Sequence, residues 1–343
     1  MSVRPYHTVT LQFSDGEQRA VTVPDGKTVL DAAIEAQIPI LHQCRSGSCS
    51  SCMAVLLEGQ ASVRPGASST LSRSEVDAGH RLLCVTEVQT DCKLALNYRT
   101  DAGEVRPVRA HAFIDSIERL APNVVRLTME LADGAWMNFK PGQFLQVTVP
   151  GVGVARSYSP ASTPADLPRI VLLIRLLPEG AMSDYLRDRA KPDDVIEIEG
   201  PFGNFFLRES RPVPHIMVAG GTGLAPVMSM IDALRVSSGR RQPILLSFGC
   251  ATPDALFYLN EIALRKQWLP SLSARVSVDR DARAELLLGS PVDALCPSDI
   301  TDPGTVAYLC GPPPMIEAAS IRLRALGIQP DNIFSEQFTA TNP

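Results

Sequence analysis

The sequence predicts a multidomain protein of mixed class: a small α+β unit, then an antiparallel β-barrel, then a doubly wound parallel sheet in an α/β domain. Three observations lead there. The chain has 343 residues, and at roughly 150 residues per domain this is enough for two to three separate cores. From Val108 to about Leu207, short apolar runs are divided by Pro and Gly, which suits antiparallel strands closing into a barrel. From Pro214 onward, strand-like apolar runs alternate with longer helical ones, the pattern of βαβ units in a parallel sheet.

Taken in order, His7 to Phe13 and Gln18 to Val23 alternate around a Ser14-Asp15-Gly16 turn and predict a hairpin. Thr28 to Gln37 predicts a helix capped by Thr28, with Val29, Ala32, Ala33 and Ile34 facing a core. A cysteine-rich loop, the run Met53 to Leu57, a Ser/Pro/Gly-rich stretch to Ser74 and apolar runs at Leu82 to Val85 and Leu94 to Asn97 complete the small unit. Tyr98 to Pro107 has turn residues and no apolar period, so it reads as a linker. The barrel strands are Val124 to Leu131, Phe144 to Val149, Ile170 to Arg175 and Val195 to Glu199, with one helix near Met182 to Arg189. The parallel sheet takes strands from His215 to Ala219, Ile244 to Phe248, Ala274 to Val278 and Val306 to Cys310. Its helices run from Ala225 to Leu234, Asp254 to Lys266 and Pro314 to Leu326. The expected boundaries are 1–98, a linker 99–107, then 108–208 and 209–343.

Hydrophobic residues make up 45% and charged residues 20%, the balance of a folded globular chain. Lys plus Arg number 32 against 37 Asp plus Glu, a net charge of -5, so no basic footprint for nucleic acid is present. The N-terminus reaches Asp15 without a continuous apolar segment. The most apolar stretch, Ile170 to Leu177, is short and interrupted by Arg175, and a cytoplasmic, non-membrane protein is expected. The five histidines are scattered, which excludes a Rieske centre or a two-His iron site.

Cys44, Cys49 and Cys52 form C-x4-C-x2-C, and Cys84 follows after 31 intervening residues. This is the spacing of a plant-type [2Fe-2S] centre, in which four thiolates hold two irons; a zinc site would show two short Cys pairs. Cys92, Cys250 and Cys296 read as ordinary core or surface thiols. Between a strand and a helix lies Ala219-Gly220-Gly221-Thr222-Gly223-Leu224-Ala225-Pro226. Its glycines suit a phosphate cradle, and Pro226 suits a first helical turn.

With these motifs in this order, residues 1 to about 98 resemble a plant-type ferredoxin and the remainder resembles the ferredoxin-NADP reductase superfamily. The whole chain resembles the reductase component of bacterial aromatic-ring-hydroxylating oxygenases, of the benzoate dioxygenase reductase type. The resemblance implies a β-grasp ferredoxin domain, a flavin-binding barrel and a nicotinamide-binding domain. One departure is Ser50, which stands in the cluster loop where that family usually has Gly.

The resemblance also assigns roles. In Arg156-Ser157-Tyr158-Ser159, Arg156 is placed on the flavin pyrophosphate, Tyr158 against the isoalloxazine ring and Ser159 near flavin N5. In Pro178-Glu179-Gly180-Ala181-Met182-Ser183, the backbone N–H groups of Ala181, Met182 and Ser183 at a helix start suit the pyrophosphate. FAD is expected over FMN from the domain order. In Cys310-Gly311-Pro312-Pro313-Pro314-Met315, Cys310 faces the nicotinamide, and Glu336 and Phe338 match a tail that lies close to the flavin. Residues 249–254 contain no Lys or Arg, and Asp279 sits just past a strand, a setting that favours NADH although Arg280 is adjacent.

The expectation is an oxidoreductase that moves electrons from NADH to FAD to [2Fe-2S], and on to a terminal oxygenase or a separate ferredoxin. Through residue 100 there are 9 basic and 10 acidic residues, so docking depends on shape as much as on steering. The rival reading is a redox-sensing regulatory protein that keeps both centres but has little or no NADH turnover.

Overall fold

The computed structural model describes residues 6–132, 134–208, 212–236, 242–283 and 285–338. The tail positions Thr339 to Pro343 therefore lie outside the described residues. The chain forms two compact units, Met1–Pro107 with Phe202–Asn204 and Val108–Pro201 with Phe205–Pro343.

In the first unit the expected hairpin forms from Tyr6–Gln12 and Gln18–Pro24, burying Val9, Leu11, Val21 and Val23 on one face. Tyr6–Gln12 also pairs in parallel with Cys92–Ala95, which returns the chain to the start of the sheet. The sheet runs Gln18–Pro24, Tyr6–Gln12, Cys92–Ala95, Met53–Glu58, His80–Leu82, and the helix Val29–Glu35 adds Val29, Leu30, Ala32 and Ala33 to the core. Thr28 caps that helix as the sequence requires, its hydroxyl accepting from the Asp31 N–H at 3.1 Å.

Two segments differ from expectation. Leu82 to Val85 is a strand end followed by a buried 3-10 turn, Leu83–Val85, which places Cys84 on a turn. Tyr98 to Pro107, expected as a plain linker, begins with a buried Tyr98 whose OH accepts from the Leu41 N–H at 3.1 Å. It continues as a helix, Thr100–Glu104, tied down by the Thr100 N–H donating to Asp15 at 2.9 Å. The anchors are hydrogen bonds rather than apolar contacts, so no hydrophobic period announces them.

The second unit opens with a strand that the sequence reading did not resolve, Val108–Ala121, the longest in the barrel. The barrel order is Ala155–Tyr158, Phe144–Thr148, Val195–Phe202, Val108–Ala121, Val124–Leu131, Arg169–Arg175. It closes where Pro160 bridges Leu172 and the Ala161 N–H donates to Val171 O at 2.8 Å.

The parallel sheet runs Leu287–Leu288, Leu272–Val278, Ile244–Cys250, His215–Gly220, Val306–Gly311, Ile333–Gln337. From His215–Gly220 the chain first builds outward through Ile244–Cys250 and Leu272–Val278, then crosses to Val306–Gly311 on the other side. The point of reversal lies between the ends of His215–Gly220 and Val306–Gly311, where crevices in such sheets open. The helix expected at Asp254 begins instead at Leu259, because Pro253–Ala255 forms a 3-10 turn and Tyr258 adopts a left-handed φ of 61°. Barrel and sheet share one core, in which Ala121, Val124, Ala161 and Leu173 pack with Met217, Val227, Met230 and Phe334. Among the described residues no helix is long and apolar enough to cross a membrane.

Candidate cofactor sites

The four candidate iron ligands converge. Cys44 lies within hydrogen-bonding reach of Cys49 and Cys84, and Cys84 in turn reaches Cys52. The contacts split the thiols. Cys49 and Cys84 donating to Cys44, and Cys84 also reaching Cys52, hold Cys44 and Cys52 below the ordinary thiol range, and push Cys49 and Cys84 above it. Backbone donors face the sulfurs as well: Ser46 N–H and Ser48 N–H to Cys44 Sγ at 3.4 and 3.3 Å, and Cys84 N–H to Cys52 Sγ at 3.4 Å. Four thiols with inward N–H groups are the donor set that a [2Fe-2S] cluster takes. Among the described residues no group of three or more His, Cys, Asp or Glu side chains is gathered as one metal ion would need; the thiols form a chain of contacts instead, Cys49 to Cys44 to Cys84 to Cys52.

Local backbone produces this inward turn. Arg45, Gly47 and Ser50 all have left-handed φ, at 56°, 80° and 53°. A Cβ on Gly47 would stand 2.2 Å from Ser68 O, so only glycine fits there. Arg45 is held by an ion pair to Asp31.

In the barrel, Arg156, Ser157 and Tyr158 lie on the edge strand Ala155–Tyr158, in register with Val147, Gln146 and Leu145. Tyr158 packs on the barrel core, and burial pushes its phenol up. Ser159 sits at the closure seam, buried, and its Oγ has no hydrogen-bond partner among the described residues. The helix Ala181–Asp188 begins at Gly180 with no side-chain cap, leaving its first N–H groups uncapped by any side chain, while Ser183 Oγ turns back to accept from Leu177 N–H at 2.8 Å. An uncapped helix start suits a pyrophosphate.

The parallel sheet gathers the rest at its point of reversal. Gly220, Gly221, Thr222 and Gly223 form the turn into the helix Leu224–Val236. Cys310 pairs in register with Ala219 on one side and with Glu336 on the other. A Cβ on Gly223 would lie 2.2 Å from Cys310 O, and one on Gly220 would lie 2.9 Å from Pro312, so the turn, Gly311 and Pro312 approach closely because the glycines are bare. The Phe338 N–H donates to Gly311 O at 2.8 Å. Cys310 is fully buried, and burial, reinforced by Glu336, raises its thiol well above the ordinary value. Glu336 Oε2 is buried without a partner among the described residues, and desolvation pushes that carboxyl up to about 8.

Asp279 is exposed, and its N–H donates to Cys250 O at 3.2 Å. Cys250, read from sequence as an ordinary thiol, faces the glycine turn: the Gly221 N–H points to its sulfur, and burial pushes the thiol up to about 12. A second residue missed by the sequence reading is Thr70, whose Oγ1 donates to Gly47 O at 3.1 Å. Nothing in a Ser/Pro/Gly-rich stretch signals that partner.

Three family models match the chain: a 2Fe-2S iron-sulfur cluster binding domain over residues 12–89, an oxidoreductase FAD-binding domain over 111–207 and an oxidoreductase NAD-binding domain over 217–320. The toluate 1,2-dioxygenase electron transfer component of Pseudomonas putida is 32% identical, covering 98% of this chain and 99% of that protein. The propane 2-monooxygenase reductase component of Mycolicibacterium smegmatis is 30% identical, covering 93% and 94%. Among solved structures, the Amycolatopsis cytochrome P450 reductase GcoB superposes with a TM-score of 0.71 at 27% identity, covering 97% and 99%.

Proposed function

Since the chain belongs to the family of iron–sulfur flavoprotein electron-transfer components of oxygenases, within the ferredoxin-NADP reductase superfamily, we propose that it carries electrons from NADH to an oxygenase or to a ferredoxin that serves one. The observation that carries this reading is the union, in one chain, of a four-thiol loop with a flavin and nicotinamide pair of domains. Bound FAD supplies the conversion of a two-electron hydride into single electrons, which a bound [2Fe-2S] cluster relays one at a time.

The chain's own residues do the positioning. Arg156 offers a guanidinium to the FAD pyrophosphate, and Ala181, Met182 and Ser183 offer the uncapped helix start. Tyr158 gives an aromatic face to the flavin ring, and Ser157 and Ser159 line the same strand end. Gly220 to Gly223 receive the NADH pyrophosphate, while Cys310, Gly311, Pro312, Glu336 and Phe338 frame the nicotinamide. At pH 7 the Glu336 carboxyl and the Cys310 thiol both keep their protons, so this wall carries no negative charge. Asp279 accepts from a ribose hydroxyl and disfavours a 2'-phosphate.

The work is divided among residues 1–98, a connecting 99–107, 108–208 and 209–343, in a protein of the cytoplasm, where reducing conditions keep its thiols free. Relatives of nearly equal identity are named for toluate and propane oxygenases, so substrate choice rests with the oxygenase partner.

The test is anaerobic mixing of purified protein with NADH. The expected result is bleaching of the flavin within seconds and of the cluster soon after, with catalytic reduction of cytochrome c and a clear preference over NADPH. Reduction by dithionite but not by NADH would overturn the enzyme reading in favour of a redox-sensing regulator.

A further inference from the structure

We propose that Thr70 and Ser50 form a hydroxyl bolt across the cluster loop, and that Ser50 is a positioning residue for the cluster rather than a silent replacement. The inference rests on the reading of Cys44, Cys49, Cys52 and Cys84 as iron ligands. Ser50 stands at φ 53°, a conformation that glycine adopts freely and a side chain resists. A strained position that keeps its side chain needs a compensating interaction. Ser50 Oγ has one: Thr70 Oγ1 lies 3.3 Å away.

The direction of the bond follows from counting protons. The single proton on the Thr70 hydroxyl goes to Gly47 O at 3.1 Å. Ser50 therefore donates to Thr70, and the relay runs from Ser50 through Thr70 to Gly47. The Thr70 N–H adds a second bond to the same Gly47 carbonyl at 3.0 Å. Gly47 and Ser50 flank Cys49 on either side, so one threonine from a distant segment fastens both shoulders of that ligand. The bare face of Gly47 lets this segment come close, since a Cβ there would meet Ser68 O.

The bolt matters to the cluster because the loop conformation aims the N–H groups of Ser46 and Ser48 at Cys44 Sγ. Hydrogen bonds to cluster sulfurs and solvent access set the reduction potential. Freed at Gly47 and Ser50, the loop changes both.

The experiment uses the full, iron-loaded protein and reads two quantities, the rate of iron loss to a chelator and the cluster midpoint potential in an EPR-monitored titration. Ser50→Ala is expected to speed iron loss about fivefold, the loss of one net hydrogen bond. Thr70→Val, which breaks both hydroxyl links, speeds it more. The double variant equals Thr70→Val alone, since Ser50 has already lost its acceptor. All three move the potential in one direction, and Thr70→Ser restores both readouts. Ser50→Gly, free of the left-handed strain, melts no lower than the parent yet loses iron at least as fast as Ser50→Ala, which separates the bolt from general stability. Unchanged rate and potential in Ser50→Ala, or a double variant in which the two factors multiply in full, would overturn the bolt. Wild-type protein that purifies with no iron would overturn the cluster reading itself, and the bolt with it.

Discussion

The cluster loop and the crevice at the sheet reversal solve opposite problems. In the loop, nearly every polar group has a local partner: thiols share protons, N–H groups face sulfurs, Arg45 reaches Asp31 and Thr70 reaches Gly47. At the crevice Glu336 Oε2, and at the barrel seam Ser159 Oγ, are buried polar atoms with no hydrogen-bond partner among the described residues. Three ligands of the loop lie within nine residues, whereas the crevice joins Gly220 to Cys310 and Glu336 from far along the chain. A site that must hold its group permanently is built from near neighbours and satisfied bonds. A site that must admit and release a substrate keeps polar groups waiting, and strand register rather than local sequence holds them in place.

The largest expected effect breaks the two sites apart. Cys84→Ser replaces a thiolate by a hydroxyl, a poor iron ligand, and its iron content should fall close to zero while FAD stays bound. Arg156→Ala combined with Tyr158→Ala should do the reverse, shedding FAD while iron stays. Metal analysis and flavin absorbance on the same samples read both. If either substitution empties both sites, the sites are not independent.

Next in size are two glycines in one turn. Gly223→Ala puts a Cβ 2.2 Å from Cys310 O, a backbone atom that cannot step aside, so the nicotinamide half should lose its fold and the protein its solubility. Gly221 has nothing within 4 Å of its Cβ position, and its φ of 54° adds only the left-handed cost, about 1 to 2 kcal/mol. Gly221→Val should fold and bind FAD, yet slow flavin reduction by NADH about a hundredfold, because a side chain displaces the dinucleotide from its reactive position. Stopped-flow absorbance measures the rate.

A pH profile sharpens the idea of waiting polar groups. Glu336 holds its proton up to about pH 8 in the folded chain, against an ordinary value of 4.5. Between those values the folded state binds more protons than the unfolded one. Its stability is therefore complete below pH 4.5 and falls as pH rises toward 8, by at most about 1.4 kcal/mol per pH unit. Glu336→Gln should remove that slope. Urea midpoints of flavin-free protein at pH 5 and pH 8 give the comparison, and equal slopes in the two proteins would show that Glu336 is solvated.

Legibility in the sequence followed the same division. The cysteine spacing and the glycine turn were readable because their geometry is local. Val108–Ala121 escaped notice because bulges at Ile114/Ser116 and Arg119/Ala121 interrupt its alternation. Ile333–Gln337 went unassigned as a strand, since IFSEQ is short and only Phe334 is buried, so its place beside Val306–Gly311 is a tertiary fact. The helix start at Leu259 depends on a left-handed Tyr258, which no propensity favours. Thr70 and Cys250 gain their roles only from what folds against them.

The closure of the barrel has a thermodynamic consequence. Among the described residues, one bridge at Pro160 and hydrogen bonds from Ala161 N–H to Val171 O and from Val171 N–H to Ser162 Oγ join the first and last strands, beside the edge strand that carries Arg156 and Tyr158, the residues proposed to hold the flavin. Such a seam is where a sheet opens first, in fluctuations far smaller than global unfolding. A flavin that binds only the closed form shifts this equilibrium by mass action, each tenfold excess over its dissociation constant adding about 1.4 kcal/mol to closure. Flavin-free chains are therefore expected to be cut by proteases at this seam faster than FAD-loaded ones.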